Sequence, residues 1–246
     1  MIANTHSIDL ELGSDQFLTI LDASQTGLDL AGDFTFATWW KPEDTGVSHA
    51  LITKGNYNSN TRAYTWIWRT GTNLMTILIS SDGGATRDDV SFSFTPIAGT
   101  MYHLAMTCDI SNAASTEFEF FVNAVSQGNG SVVTDSSVGA IYDSADPFYI
   151  GAENGVVDSE INVDGLMDET VVTSDILTLA EITRLYQGYD ARFLDNLKGY
   201  WKYNNDLTDS SGNGNTLTNN GTAVFSTTVP FANYYGSTGG FIHSSS

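Results

Sequence analysis

Cysteine, basic side chains, long apolar runs and an N-terminal leader are scarce or missing in this chain, and each shortage closes off a class of function. A single cysteine, Cys108, excludes an intrachain disulfide. It sits in the apolar run 104–108, which reads as an inert core thiol rather than a nucleophile. Only nine Lys and Arg stand against 29 Asp and Glu, a formal net charge of -20. Such a field repels phosphate backbones and anionic lipid, so nucleic acid is not an expected partner. The same acidity serves solubility or points to bound cations. No apolar run approaches the length of a membrane span, so membrane insertion is not expected. The opening residues MIANTHSIDLELG have neither a basic nor an apolar region, so no signal peptide is visible. The chain is then expected to stay in the cytoplasm, to assemble there into something larger, or to be presented here without its signal.

What the chain has is 41% hydrophobic and 12% aromatic residues among its 246, enough to bury a core as one large all-β domain or two small ones. Its organising stretch is GDFTFATWWKPEDTGVSHALITK, 32–54. Counting by twos puts Phe34, Phe36, Thr38 and Trp40 on one face, and Thr35, Ala37 and Trp39 on the other. Both faces carry a large ring, which predicts a central strand covered on both sides. Pro42 ends it, having no N–H for the ladder. With a hairpin of Ser7 to Glu11 and Gln16 to Ile20 before it, the chain holds about a dozen short strands at near-regular spacing. They include Tyr64 to Arg69, Leu74 to Ile79, Val90 to Phe94, Met101 to Cys108 and Glu117 to Val122, the last with a tight turn at Asn123-Ala124. Only residues 178–187 read as helix, with Thr178 as N-cap and Glu181 three residues on. The predicted fold class is all-β, an antiparallel jelly-roll β-sandwich with one short helix. Residues 1–230 are expected to form one domain, with a strand near 198–203 completing it, and 231–246 a poorly packed Gly/Ser-rich tail.

Taken in order, GDFTFATWWKP, LITKG, TPIAGTMYHLAMTCD, FEFFVNA, PFYIGA, DGLMDETVV and LTLAEITRLYQ resemble the laminin-G-like, concanavalin-A-like family of jelly-roll domains over roughly residues 7–188. The chain departs at Tyr102, where the family has tryptophan, and at Ala124, where it has glycine. LKGYWKYNNDLTDSSGNGNTLTNNGTAVF, 197–225, resembles the segment that normally opens such domains, yet here it comes last. Two readings stay open, a circular permutation or the start of a second domain. The segment order is also similar to that of surface and tail-associated proteins of bacterial viruses.

Candidate sites follow. The Glu-x-Asp-x-x-Glu motif of laminarinase-type sandwiches, which sets two carboxylates about 5–5.5 Å apart for retaining hydrolysis, does not occur. Asp168 and Glu169 are adjacent, which on a regular strand turns them to opposite faces. His6, His49, His103 and His243 show no Ser/His/Asp pattern, and His103 reads as a structural imidazole. No catalytic residue is therefore assigned, and the chain is not expected to be an enzyme. Tyr57, Tyr64, Trp66 and Trp68 are the candidate glycan-binding residues, since aromatic faces stack on sugar C–H surfaces. The competing reading of these rings, and more so of Trp39 and Trp40, is core. The family resemblance implies a calcium ion held by Asp22, the Gly32 carbonyl and Asp168. DSSGNGN, 209–215, lacks the acidic twelfth position of an EF-hand and reads as a turn. The expected function is a non-enzymatic binding or decoration module on a virion or extracellular surface, with glycan as its ligand. Its rival is a structural capsid or tail subunit that contacts neighbouring virion or surface proteins and forms a homo-oligomer. A glycoside hydrolase is the least supported reading.

Overall fold

The computed structural model describes residues 3–153, 161–233 and 235. In chain order the strands are β1 (Ser7–Leu10), β2 (Phe17–Ile20), β3 (Phe34–Pro42), β4 (His49–Lys54), β5 (Tyr64–Arg69), β6 (Leu74–Ser80), β7 (Arg87–Ser93) and β8 (Tyr102–Cys108). After a single helical turn, α1 (Ala114–Glu117), come β9 (Phe118–Val122), β10 (Val125–Gly128), β11 (Ser131–Thr134), β12 (Phe148–Ile150) and β13 (Gly165–Thr173). The helix α2 (Leu179–Tyr186) precedes β14 (Leu197–Trp201), β15 (Thr218–Asn220) and β16 (Val224–Ser226). Two antiparallel sheets form a jelly-roll sandwich. The first runs β10-β9-β8-β3-β13-β1-β16, with β14 also on β13, and the second runs β11-β7-β6-β5-β4-β12-β2-β15.

The strand β3 lies at the centre of the first sheet because both of its faces need cover. Phe34, Phe36 and Trp40 enter the core between the sheets, while Ala37 belongs to a second apolar layer with Val171, Ile182 and Leu185 under α2. Trp39 stacks on Tyr186 of that helix at 5.4 Å. The helix starts where a reciprocal cap satisfies its first donors. Thr178 Oγ1 accepts from Glu181 N at 3.3 Å, and Glu181 Oε2 accepts from Thr178 N at 2.8 Å. The β9–β10 turn holds Asn123 at φ 50 and Ala124 at φ 60, the left-handed pair that a two-residue hairpin requires. An alanine there accepts a conformation that glycine adopts without steric cost.

Weak strands were not legible in the sequence. The strands β10, β11, β15 and β16 are largely exposed and only three or four residues long, too short for alternation to mark them. The segment after α2 joins both sheets, β14 on β13, β15 on β2 and β16 on β1. Beyond it, Phe231 meets Trp39 edge-on at 6.3 Å and Tyr235 stacks on Tyr189 at 5.4 Å. The rest of the Gly/Ser-rich tail, 236–246, lies outside the described residues. Among the described residues no helix is long and apolar enough to cross a membrane.

A pH effect is built into the core. Glu117 is 2% exposed, takes the Cys108 thiol as a donor at 3.8 Å, and has no partner for Oε2. Burial, and next the nearby Asp88, push its carboxyl up from 4.5 to about 8. An acid that holds its proton more tightly when folded is harmless below its unfolded pKa and loses stability as pH rises toward the folded one. At about 1.36 kcal/mol per unit, going from about pH 5 to about pH 7 removes roughly 2.7 kcal/mol. Glu117→Gln, neutral at every pH, is expected to flatten the fall in stability between about pH 5 and 8 relative to the parent. Urea unfolding across a buffer series reads this, and parallel profiles would mean that the group titrates normally in the fold.

Candidate ligand-binding cleft

On β5 the side chains alternate strictly, and the two faces do different work. Tyr64, Trp66 and Trp68 point into the inter-sheet core at 0–1% exposure, against Phe36 and Trp40. Tyr64 donates its hydroxyl to the Leu28 carbonyl at 2.8 Å and Trp68 Nε1 donates to Phe94 O at 2.9 Å. This corrects the expectation that these three rings stack on sugar, because a ring walled in by the opposite sheet has no free face. Tyr57 differs. It lies in the β4–β5 loop at 58% exposure, with the Arg62 guanidinium 4.5 Å from its ring centroid.

The outward residues of the same strands build a cleft of about 280 Å³. Register aligns its floor, since Thr65 of β5 pairs with Leu78 of β6, which pairs with Asp89 of β7. Arg69 and Arg87 flank this row, Glu153 closes it from beyond β12, and Tyr57 and Arg62 overhang it. The loop that carries Tyr57 is drawn tight by glycine. Gly55, at φ +105, would place a Cβ 2.2 Å from Thr61 O, and Gly83, at φ +79, one 2.4 Å from Asn60 O. A side chain at Gly55 would open the loop on itself, and one at Gly83 would push the loop off the 81–86 turn. That turn is held by Asp82, which accepts from Thr86 Oγ1 and Gly84 N, both at 2.7 Å. Those bonds, the Thr86 hydroxyl first, bring its carboxyl down to about 2.

Arg62 is 5% exposed and donates from its terminal nitrogen to Gly84 O at 3.0 Å, leaving Nε without a partner. Arg87 Nε and Asp89 Oδ1 are likewise buried and unpartnered. Burial raises the Asp89 and Glu153 carboxyls, against the pull of the arginines beside them, and burial followed by Arg87 lowers Arg62. Of these residues, sequence reasoning named Tyr57 alone. A usable signal existed, since three of only nine basic residues fall within 62–87 and one of them, Arg69, alternates with the core rings.

The residues assigned to calcium are not brought together. Asp22 accepts from Lys54 Nζ at 2.7 Å, and that fully buried ammonium also meets Asp29 at 3.0 Å and the Asp146 carbonyl at 3.0 Å. Lysine supplies there the positive charge that the sequence reading gave to an ion. Asp168 lies in the other sheet, taking Asn4 Nδ2 at 3.0 Å, Ser7 Oγ at 3.1 Å and Glu169 N at 2.9 Å. Gly32 precedes β3, with nothing within 4 Å of where its Cβ would be. The opposed orientation of Asp168 and Glu169 is also corrected. Glu169 has φ 48 and the β13–β3 register slips between Asp168 and Val171, a bulge that sets two residues against Thr38. Both acids then leave the inner face, and Glu169 takes the hydroxyl of Tyr200. Burial, then the neighbouring Glu169, keeps the Asp168 carboxyl well above its usual range. Among the described residues, the carboxylates close enough to share a cation are Asp9, Glu11 and Glu43, within 4.8 Å of one another. Lys41, 3.6 Å from Glu43, already supplies one positive charge there. His103, 1% exposed and edge-on to Trp39 at 5.2 Å, is pushed down to about 3 by burial and stays neutral.

A family model described as the concanavalin A-like lectin/glucanases superfamily matches residues 12–183. No curated protein matches the chain in sequence. Among solved structures, a proposed carbohydrate binding protein from Bacteroides ovatus superposes with a TM-score of 0.66 at 17% identity. The superposition covers 92% of this chain and 60% of that one, so the chain spans less than two thirds of that protein's length. The heptameric SAP-like pentraxin of Limulus polyphemus superposes with a TM-score of 0.59 at 9% identity, covering 90% of this chain and 94% of that one. At such identities the likeness concerns the fold.

Proposed function

The chain belongs to the concanavalin A-like lectin/glucanases superfamily, in its laminin-G-like branch, and on that premise we propose that it is a non-enzymatic module that binds glycan in the cleft beside Tyr57. One observation carries this reading. An exposed aromatic ring, two half-buried carboxyls and three arginines meet in one open cleft on the solvent side of a sheet. A ring face suits the C–H surface of a sugar, and the carboxyls and guanidinium groups suit its hydroxyls. The volume falls at the small end of ligand pockets, about right for one sugar ring. The setting in this reading is a virion or extracellular surface, supported by the order of the sequence segments.

Tyr57→Ala is expected to weaken glycan binding about fivefold, as loss of a stacking contact worth about 1 kcal/mol implies, with the melting temperature unchanged. A glycan array followed by calorimetry measures it. Undiminished binding in that variant would move the site away from the cleft. Asp89 and Glu153 also raise the rival of hydrolysis, since burial raises both carboxyls, as a general acid needs, against the pull of the arginines beside them. Release of new reducing ends from a bound glycan, abolished by Asp89→Asn, would overturn the non-enzymatic part of the reading.

A further inference from the structure

The cleft has a charge that the rest of the molecule does not. In a chain of net charge -20, three of nine basic residues, Arg62, Arg69 and Arg87, line one small concavity with two acids, Asp89 and Glu153. Among the described residues, none of the three arginines has a carboxylate oxygen within salt-bridge distance. Their charge is offset only at longer range, by Asp89 and Glu153 of the same cleft. Nε of Arg62 and Nε of Arg87 are buried with no acceptor, and Arg62 is 95% buried overall, at 5% exposure. Guanidinium groups that line a cleft without a carboxylate at salt-bridge distance can offer parallel N–H···O bonds, which an oxyanion fills and a lone hydroxyl does not.

We propose that the cleft selects acidic sugars, the anionic substituent lying between Arg62, Arg69 and Arg87 while the ring packs against Tyr57 and Leu78. This rests on the glycan-binding reading above and narrows its ligand class. The shared chemistry is an oxyanion on a sugar ring, either the carboxylate of a uronic or sialic acid or a sulfate ester. Asp89 and Glu153 then accept from ring hydroxyls and exclude ligands with a second anionic group on that side. The surrounding negative field repels anions at long range, so the selectivity has to come from these short contacts.

The test titrates the full chain with four probes: a neutral oligosaccharide, the same backbone with a uronic acid, a sialylated oligosaccharide and a sulfated one. The expected result is at least tenfold tighter binding of one acidic probe than of the neutral one, and the preferred acidic probe identifies carboxylate or sulfate. Arg69→Gln, at an exposed position, is expected to weaken that acidic probe about tenfold with the melting temperature unchanged. Asp89→Asn is expected to tighten it severalfold by removing a like charge. Equal affinity for neutral and acidic probes, or no response to Arg69→Gln, overturns acid selectivity while leaving glycan binding in place. No binding to any of the four overturns both.

Discussion

A chain ending at residue 193 is expected to show no cooperative unfolding transition. The missing segment carries Trp201, Tyr200 and Tyr203, all at 0–1% exposure, and Leu217 at 4%. Trp201 stacks on Phe148 of the opposite sheet at 5.5 Å and donates to Asn215 O at 2.7 Å. Tyr203 donates its hydroxyl to Thr170 at 3.0 Å. Asn215, fully buried, bridges the early loop to β14 by bonding Thr26 O at 2.9 Å and Lys198 O at 2.8 Å. Burying a large apolar side chain contributes about 1.5–3 kcal/mol, so four of them represent roughly 6–12 kcal/mol. That is comparable with the whole stability of a typical domain, about 5–15 kcal/mol. Truncation also unpairs β13, β2 and β1 along one edge each. Circular dichroism melts and urea titrations of residues 1–193 beside the full chain decide the matter. An unchanged midpoint would mean that the C-terminal segment folds as a separate unit.

Trp66→Ala is expected to destabilise the protein by about 3–5 kcal/mol, because a large ring leaves a cavity that neighbouring strands cannot close. For a domain of this size that is a fall in melting temperature of roughly 6–20 °C. Below its melt the variant should bind glycan within about twofold of the parent, since Trp66 lies on the inner face and the cleft on the outer. Tyr57→Ala should do the reverse, losing affinity and keeping stability. The pair separates core from contact surface in one experiment. A stable Trp66→Ala protein that loses glycan binding would return the site to the inner rings.

These two substitutions also mark how far the sequence could be read. Tyr64, Trp66 and Trp68 announce a strand with an aromatic stripe, and counting by twos correctly separates them from Thr65, Ile67 and Arg69. Which face meets solvent is another matter. Aromatic content made the inner stripe look like the sugar platform, yet the apolar face of a half-polar strand gains most by burial. The acids at Asp168 and Glu169 misled for a related reason. Strict alternation holds only in an unbroken strand, and the bulge that ends it here is a property of how β13 meets β3 and β14.

The sequence by itself determined the class of fold, the central place of β3, the capped helix and the exclusion of disulfides. Each follows from local periodicity, propensity or composition, which need no knowledge of neighbours. Tertiary structure alone decided that Thr65, Leu78 and Asp89 form one row, that Arg62 and Glu153 reach it from separate loops, and that Lys54 rather than an ion neutralises Asp22. Spacing along a strand fixes which way a side chain points, but strand order and register, set by burial of the whole core, fix what it points beside.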